Sequence, residues 1–351
     1  MKWIKHNQPS LDHRDQASVL KTLKSGWIAE GPVAQKFEQQ MARLIHRKYA
    51  KAVSSGSAAL HLALLALGIQ KGDEVILSTY ACTALLNSIF YVGATPRVAD
   101  ISVQNLGLSA ESVRKLISKK TKAIIVHHAF GFPADIMKIK SFGIPIIEDC
   151  AQSLGTKIGK SQAGTFGDIS IFSFYATKMM TTGYGGMLLT DSQSRFNSIR
   201  DLTHYDQRRD YKVRYNYCLS DINAALGLSQ LERLDQFLKR RKTIAKRFLE
   251  ALKKTSLFFW CGREGESPNY YRLPCGDIKE WKALQKYFLK NKINVINPLE
   301  PFQLLHRYLN QSARMFPVAE TISRSIISLP IYPSLRDSEI ERVCRSILLL
   351  K

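Results

Sequence analysis

A chain of 351 residues that is 45% hydrophobic and 23% charged has an ordinary globular composition and enough length for two units around an extensive core. No apolar run reaches bilayer-crossing length, and the polar start MKWIKHNQPSLDHRDQ lacks the apolar centre of a signal peptide, so a cytoplasmic protein free of the membrane is expected. The 51 Lys and Arg against 29 Asp and Glu leave a net charge of +22, but the basic residues are spread along the chain rather than gathered in one stripe, which argues against a nucleic-acid site and is compatible with an anionic small substrate. In chain order, short β-branched runs alternate with helix-like segments from about residue 50. Candidate strands occupy 49–54, 74–78, 96–100, 122–128, 145–149, 169–174 and 187–190, with helical periodicity over 57–68, 82–92 and 109–118. This order predicts an α/β fold with a mostly parallel seven-stranded sheet between helices. Ligands of such sheets sit at the carboxyl ends of the strands. A long helical stretch follows over 220–253, and its basic run 238–254 reads as a solvated helix face. Past the turn-rich CGREGESPN (261–269), a strand near YYRLP and helices at 278–291 and 337–350 predict a smaller α+β unit. The expected division is a large domain 1–238, N-terminal segment included, and a small domain 239–351.

Three segments carry chemistry. In SSGSAALHLALLALG (54–68) a strand ends, Gly56 permits a tight turn and Ser57 opens a helix. The free N–H groups at such a helix start suit a phosphate, although an ordinary capped helix has the same pattern. In PIIEDCAQSLG (145–155), Glu148 and Asp149 end an apolar strand, where a carboxylate is costly without a partner. The protonated ring nitrogen of a bound cofactor would be such a partner. In GDISIFSFYATKMMTTGYGGMLLT (167–190), a buried strand carries Ser173, and Lys178 follows ahead of a Gly-rich turn. Burial and nearby positive charge lower an amine's pKa, as a Schiff-base lysine requires. Cys82, Cys150, Cys218, Cys261, Cys275 and Cys344 show no CxxC or His/Cys ligand spacing, so reduced thiols and no metal are expected. His127 and His128 end a strand on the ligand side and read as locally hydrogen-bonded, while His204 has no assignment.

Together these segments resemble the DegT/DnrJ/EryC1/StrS family, nucleotide-sugar aminotransferases of the aspartate-aminotransferase fold, fold type I of the enzymes dependent on pyridoxal 5'-phosphate (PLP). The resemblance begins at LKSGWIAEGPVAQKFEQQMARL (23–44), runs through SSGSAAL, GDEVILSTYACTALLNSI and the segments above, and resumes at YNYCLSDINAALGLSQLERLD (215–235) and SLPIYPSLRDSEIERV (328–343). It implies that Lys178 holds PLP and shuttles the proton, that Asp149 pairs with the pyridine nitrogen, and that Gln152 bonds the ring's 3'-oxygen. It implies that Tyr80 stacks on the ring, that Gly56, Ser57 and Ser173 hold the phosphate, and that Asn216 reaches the phosphate of the neighbouring subunit in a homodimer. The implied reaction moves an amino group from an amino acid, L-glutamate above all, to the keto group of a nucleotide-linked sugar, for amino-sugar and polysaccharide biosynthesis.

Two positions depart from the pattern. The family commonly has Asn-x-Arg where this chain has Asn216-Tyr217-Cys218, which removes an arginine suited to a donor carboxylate and leaves Arg214 as the nearby substitute. Tyr184 stands where the family often has Glu. These departures sustain one competing reading, a degenerate non-catalytic cofactor- or sugar-binding regulatory protein. The retention of Lys178, Asp149 and Gln152 argues against it. A PLP-dependent sugar dehydratase would carry histidine in place of Lys178.

Overall fold

The computed structural model describes residues 2–277 and 281–350. All seven expected strands form, within a residue or two, and they join in one sheet. Its order is Tyr49–Val53, Gly186–Thr190, Ile169–Ser173, Ile146–Asp149, Thr121–His127, Glu74–Ser78 and Thr95–Ala99. Only Gly186–Thr190 runs against the others, pairing antiparallel with both its neighbours. The four central strands are almost wholly buried, which is why they read as continuous Ile/Val/Leu runs rather than alternating ones. Helix Gly56–Ala66 is buried from Ala58 through Leu64, so apart from His61 this run is apolar all round, and its buried Ala58, Ala59 and Ala63 let it lie close against the sheet.

Two helices precede the first strand, His13–Ser25 and Pro32–Ile45; the strand-helix alternation starts only after them. The stretch 220–253 is two helices, Asp221–Glu232 and Leu234–Leu252, rather than one. Arg233 breaks them: it leaves helical dihedrals, and its buried guanidinium pairs with Asp12 and Asp15 near the chain's start. Along Leu234–Leu252 the residues Phe237, Ile244, Ala245 and Phe248 face inward while Lys239, Lys242 and Lys246 are exposed. The basic run is thus largely a solvated face, with Arg241 as its buried exception.

The C-terminal part builds a second sheet, Phe258–Phe259, Leu273–Gly276 and Ile326–Leu329, all antiparallel. Helices Trp281–Lys290 and Asp337–Leu348 cover it, and residues 278–280 of the expected helix lie outside the described residues. Ile4 bridges to Ile293 and packs in the same core cluster, so the first residues of the chain are joined to this part. A hairpin absent from the sequence reading, Lys157–Ile158 with Ser161–Gln162, is extended by Glu266–Ser267 from the expected linker. Among the described residues no helix is long and apolar enough to cross a membrane. All six cysteines are free thiols.

Candidate active site

The carboxyl ends of the central strands meet at one edge of the sheet, where His127 is in register with Asp149 and Asp149 with Ile171. A crevice of ≈ 370 Å³ opens there, a size suited to a small-molecule ligand. Tyr80, His127, Asp149, Gln152 and Lys178 line it from the sheet side, and Tyr271, Arg272, Gln303 and Tyr308 from the C-terminal part. A second lobe of ≈ 190 Å³ shares Lys178 and Asp149 and is lined by Gly56, Ser57, Ser173, Tyr175 and Tyr184. Of the eight positions expected in the site, seven converge on these two lobes. Asn216 lines neither; it is exposed in the segment between Thr203 and Asp221.

The smaller lobe is a helix start pressed against a strand end. Ser55 caps helix Gly56–Ala66 by accepting from the Ala58 N–H, and Ala59 N–H bonds the Ser55 carbonyl. This leaves the Gly56 and Ser57 N–H groups at the positive end of the helix dipole. A Cβ on Gly56 would stand 3.0 Å from that of Ser173, so glycine is what lets the helix start meet the strand.

Asp149 is buried at the floor between the lobes and accepts one hydrogen bond, 2.9 Å from the Ala151 N–H. Burial raises its pKa, against the Ala151 bond and the charge of Lys178. A carboxylate held this way calls for a proton-bearing partner in the cavity. Glu148, its neighbour, points elsewhere and is satisfied there, by the N–H groups of Gly164, Phe166 and Gly167 at 2.6, 2.8 and 2.9 Å and by His128 Nε2 at 3.0 Å. The Ala134 N–H donates to His128 Nδ1, which fixes the tautomer with the proton on Nε2. His128 is therefore locally bonded, as expected. His127 has a hydrogen bond with the Tyr80 backbone, but its Nδ1 is buried without a partner, and burial drives its pKa down to about 4.

Gln152 accepts the Phe130 N–H at 2.7 Å through Oε1, which leaves its Nε2 to donate. The bond holds Phe130 at a left-handed φ of 57°. Tyr80 is 1% exposed and packs edge-on against Phe130, yet its hydroxyl is orphaned. A PLP ring fits these residues: an unpaired carboxylate at its nitrogen, an amide N–H free to donate, orphaned polar atoms to satisfy, and a helix start for its phosphate. Such a group would be held by Lys178, Asp149, Gln152, Tyr80, Gly56, Ser57 and Ser173.

Tyr271 and Arg272 escaped the sequence reading. Lys178 Nζ lies 5.3 Å from the Tyr271 ring centroid. Burial alone would raise the Tyr271 phenol, but the charges of Lys178, Arg272 and Arg241 and a bond from Thr177 outweigh it and bring the pKa down to about 8. The only trace in the sequence is the YYR triplet, which reads equally well as a strand start.

The departures resolve differently. Cys218 lines neither lobe; it lies against Glu30, and burial followed by that carboxylate pushes its thiol up to about 12. Arg214 is held by Asp201 and Asp210, so within this chain it does not take over the missing arginine's task. Tyr184 packs on Tyr175 with ring centroids 5.2 Å apart, at the mouth of the smaller lobe. Among the described residues, two groups approach a metal-ligand arrangement, Glu30 with His204 and Cys218, and His128 with Glu148 and Cys150. In the first, the Lys51 ammonium already occupies Glu30; in the second, the bonds above use the Glu148 oxygens.

The sequence profile of the DegT/DnrJ/EryC1/StrS aminotransferase family matches residues 9–348. A GDP-perosamine synthase of Escherichia coli O157:H7 is 35% identical over 99% of this chain and 98% of its own, and one of Vibrio cholerae is 32% identical over 97% of both. Among solved structures, Spr1654 from Streptococcus pneumoniae in its PLP form aligns with a TM-score of 0.91 at 25% identity, over 98% of this chain and 97% of that one; its PMP form gives 0.92. Profile, relatives and fold agree with the geometry of the crevice: the chain belongs to the DegT/DnrJ/EryC1/StrS aminotransferase family and is a PLP-dependent aminotransferase.

Proposed function

We propose that this enzyme transfers the amino group of L-glutamate to the keto group of a nucleotide-linked sugar, as a cytoplasmic homodimer, and that GDP is the nucleotide to test first. The observation that carries the reading is the convergence of Lys178, Asp149 and Gln152 on a crevice whose other wall comes from the C-terminal part. PLP, when bound, supplies an electron sink for the carbanion formed at the substrate carbon. Lys178 holds the cofactor and moves the proton at that carbon. Asp149 keeps the ring nitrogen protonated, Gln152 Nε2 donates to the ring's 3'-oxygen, and Tyr80 covers one face of the ring. Gly56, Ser57 and Ser173 hold the phosphate, and Asn216 serves the site of the neighbouring copy. The division into a large unit, 1–238, and a small unit, 239–351, places the crevice between them.

The GDP preference comes from the two GDP-perosamine synthases among the relatives. The test is the visible absorbance of PLP-loaded protein. L-Glutamate is expected to bleach the yellow band, and a GDP-linked keto-sugar to restore it. A band that L-glutamate leaves intact refutes that donor, and folded protein that takes up no PLP refutes the assignment of Lys178.

A further inference from the structure

Three arginines whose side chains are buried are matched by carboxylates. Arg47 pairs with Asp191, Arg214 with Asp201 and Asp210, and Arg233 with Asp12 and Asp15. Arg241, fully buried, has no carboxylate and an unpartnered Nε, but one Nη donates to the carbonyls of Tyr270, Tyr271 and Ile331 at 3.1, 3.2 and 2.9 Å. Arg272 is the contrast. It is half-buried in the wall of the Lys178 crevice, and among the described residues no carboxylate pairs with it. Its guanidinium rests 5.4 Å from the Tyr271 ring centroid and touches His6 Nε2 at 3.5 Å. Burial, then Arg272 and Arg241, drives the His6 pKa down to about 3, so that imidazole is neutral and adds no counter-charge. A partly desolvated cation facing a ligand cavity without a counter-ion is unfavourable until a ligand brings one.

We propose that Arg272 binds the carboxylate of the amino-acid donor, a task for which position 218 of this chain has no arginine. The inference rests on the aminotransferase reading and adds the residue that recognises the donor. Lys178 and Arg272 lie against the same tyrosine ring, so an anion bound at Arg272 sits close to the reacting carbon. An amino acid has its carboxylate on that carbon or a few bonds away. A nucleotide sugar has its diphosphate a full sugar ring away, nearer the crevice mouth. The planar guanidinium also offers the two parallel N–H donors that a carboxylate accepts.

The experiment titrates PLP-loaded wild type, R272Q and R272K with three probes and reads the visible band: L-glutamate, maleate as a dicarboxylate with no amine, and GDP. R272Q is expected to weaken maleate and L-glutamate by about 10- to 100-fold, the range of a lost charge-assisted contact, with PLP uptake and GDP affinity unchanged. R272K is expected to fall between. Unchanged maleate affinity in folded, PLP-loaded R272Q overturns the proposal, as does a loss confined to GDP, which would assign Arg272 to the diphosphate. If L-glutamate fails to bleach the wild type while maleate still distinguishes it from R272Q, the glutamate reading falls and the Arg272 assignment stands.

Discussion

Tyr271 shows how much of the site's electrostatics is set by side chains far apart in the chain. Its phenol is buried, and the cations around it still hold its pKa at about 8 against an ordinary 10.0. In cofactor-free protein, an ultraviolet phenolate titration should show one tyrosine ionising near pH 8, absent in Y271F. Because the group is an acid whose pKa falls on folding, its contribution to stability is fully present above pH 10 and is lost as pH drops through 8. PLP, which takes up the Lys178 amine, should move this midpoint upward; an unmoved midpoint would separate Tyr271 from Lys178. None of this was legible in the sequence. Lys178, Asp149 and Gln152 could be read because each follows a strand that ends at the ligand edge, so local pattern and site coincide. Tyr271 and Arg272 join them only through tertiary contact across more than ninety residues of chain.

Between residues and fold, the strand Ile146–Asp149 has two tasks at its end. Asp149 faces the cavity, while Glu148 points away and gathers three N–H groups of the turn 164–167 together with His128. Burying a carboxylate costs several kcal/mol, and this one is offset by four charge-assisted bonds. E148Q would turn an amide N–H₂ toward backbone donors and should lower unfolding stability by about 3–5 kcal/mol in urea titrations. The Glu148 pKa lies below its ordinary 4.5, the His128 and backbone bonds outweighing burial. Its contribution is therefore present above about pH 4.5 and lost as pH falls through the folded value, so wild type and E148Q should converge in acid. A constant gap down to low pH would show that Glu148 is not the charged acceptor. The sequence announced the strands clearly because buried parallel strands have long β-branched runs. It did not announce the two-residue pairings at 157–162 and 266–267, which are too short for any periodicity, nor the break at Arg233, which depends on Asp12 and Asp15.

For the whole molecule, the exposed position of Asn216 gives the homodimer a direct test. Inactive K178A and N216A proteins, mixed under exchange conditions, should regain activity if Asn216 acts across the interface, because each mixed dimer then has one site with both residues intact. No recovery from fully exchanged subunits would place Asn216 in its own chain's site or in none. The +22 charge belongs to this scale as well. It provides a field that draws anionic substrates from any direction, while the inward residues of the crevice decide which of them stay.

The single reversed strand, Gly186–Thr190, has a mechanical consequence. Ser173 and Gly186 are paired rungs of one ladder, so the segment carrying Lys178 leaves the sheet and returns to it at adjacent points. Phe174 N–H bonds the Gly185 carbonyl and Thr182 N–H the Phe174 carbonyl, which ties the loop across its base. The lysine is thus clamped to the sheet like a tool in a vice, whereas Tyr271 and Arg272 lie just before a strand of another sheet. A crevice widened by movement of Tyr271 and Arg272 would leave the lysine and Asp149 in place, because both are fixed to the same sheet.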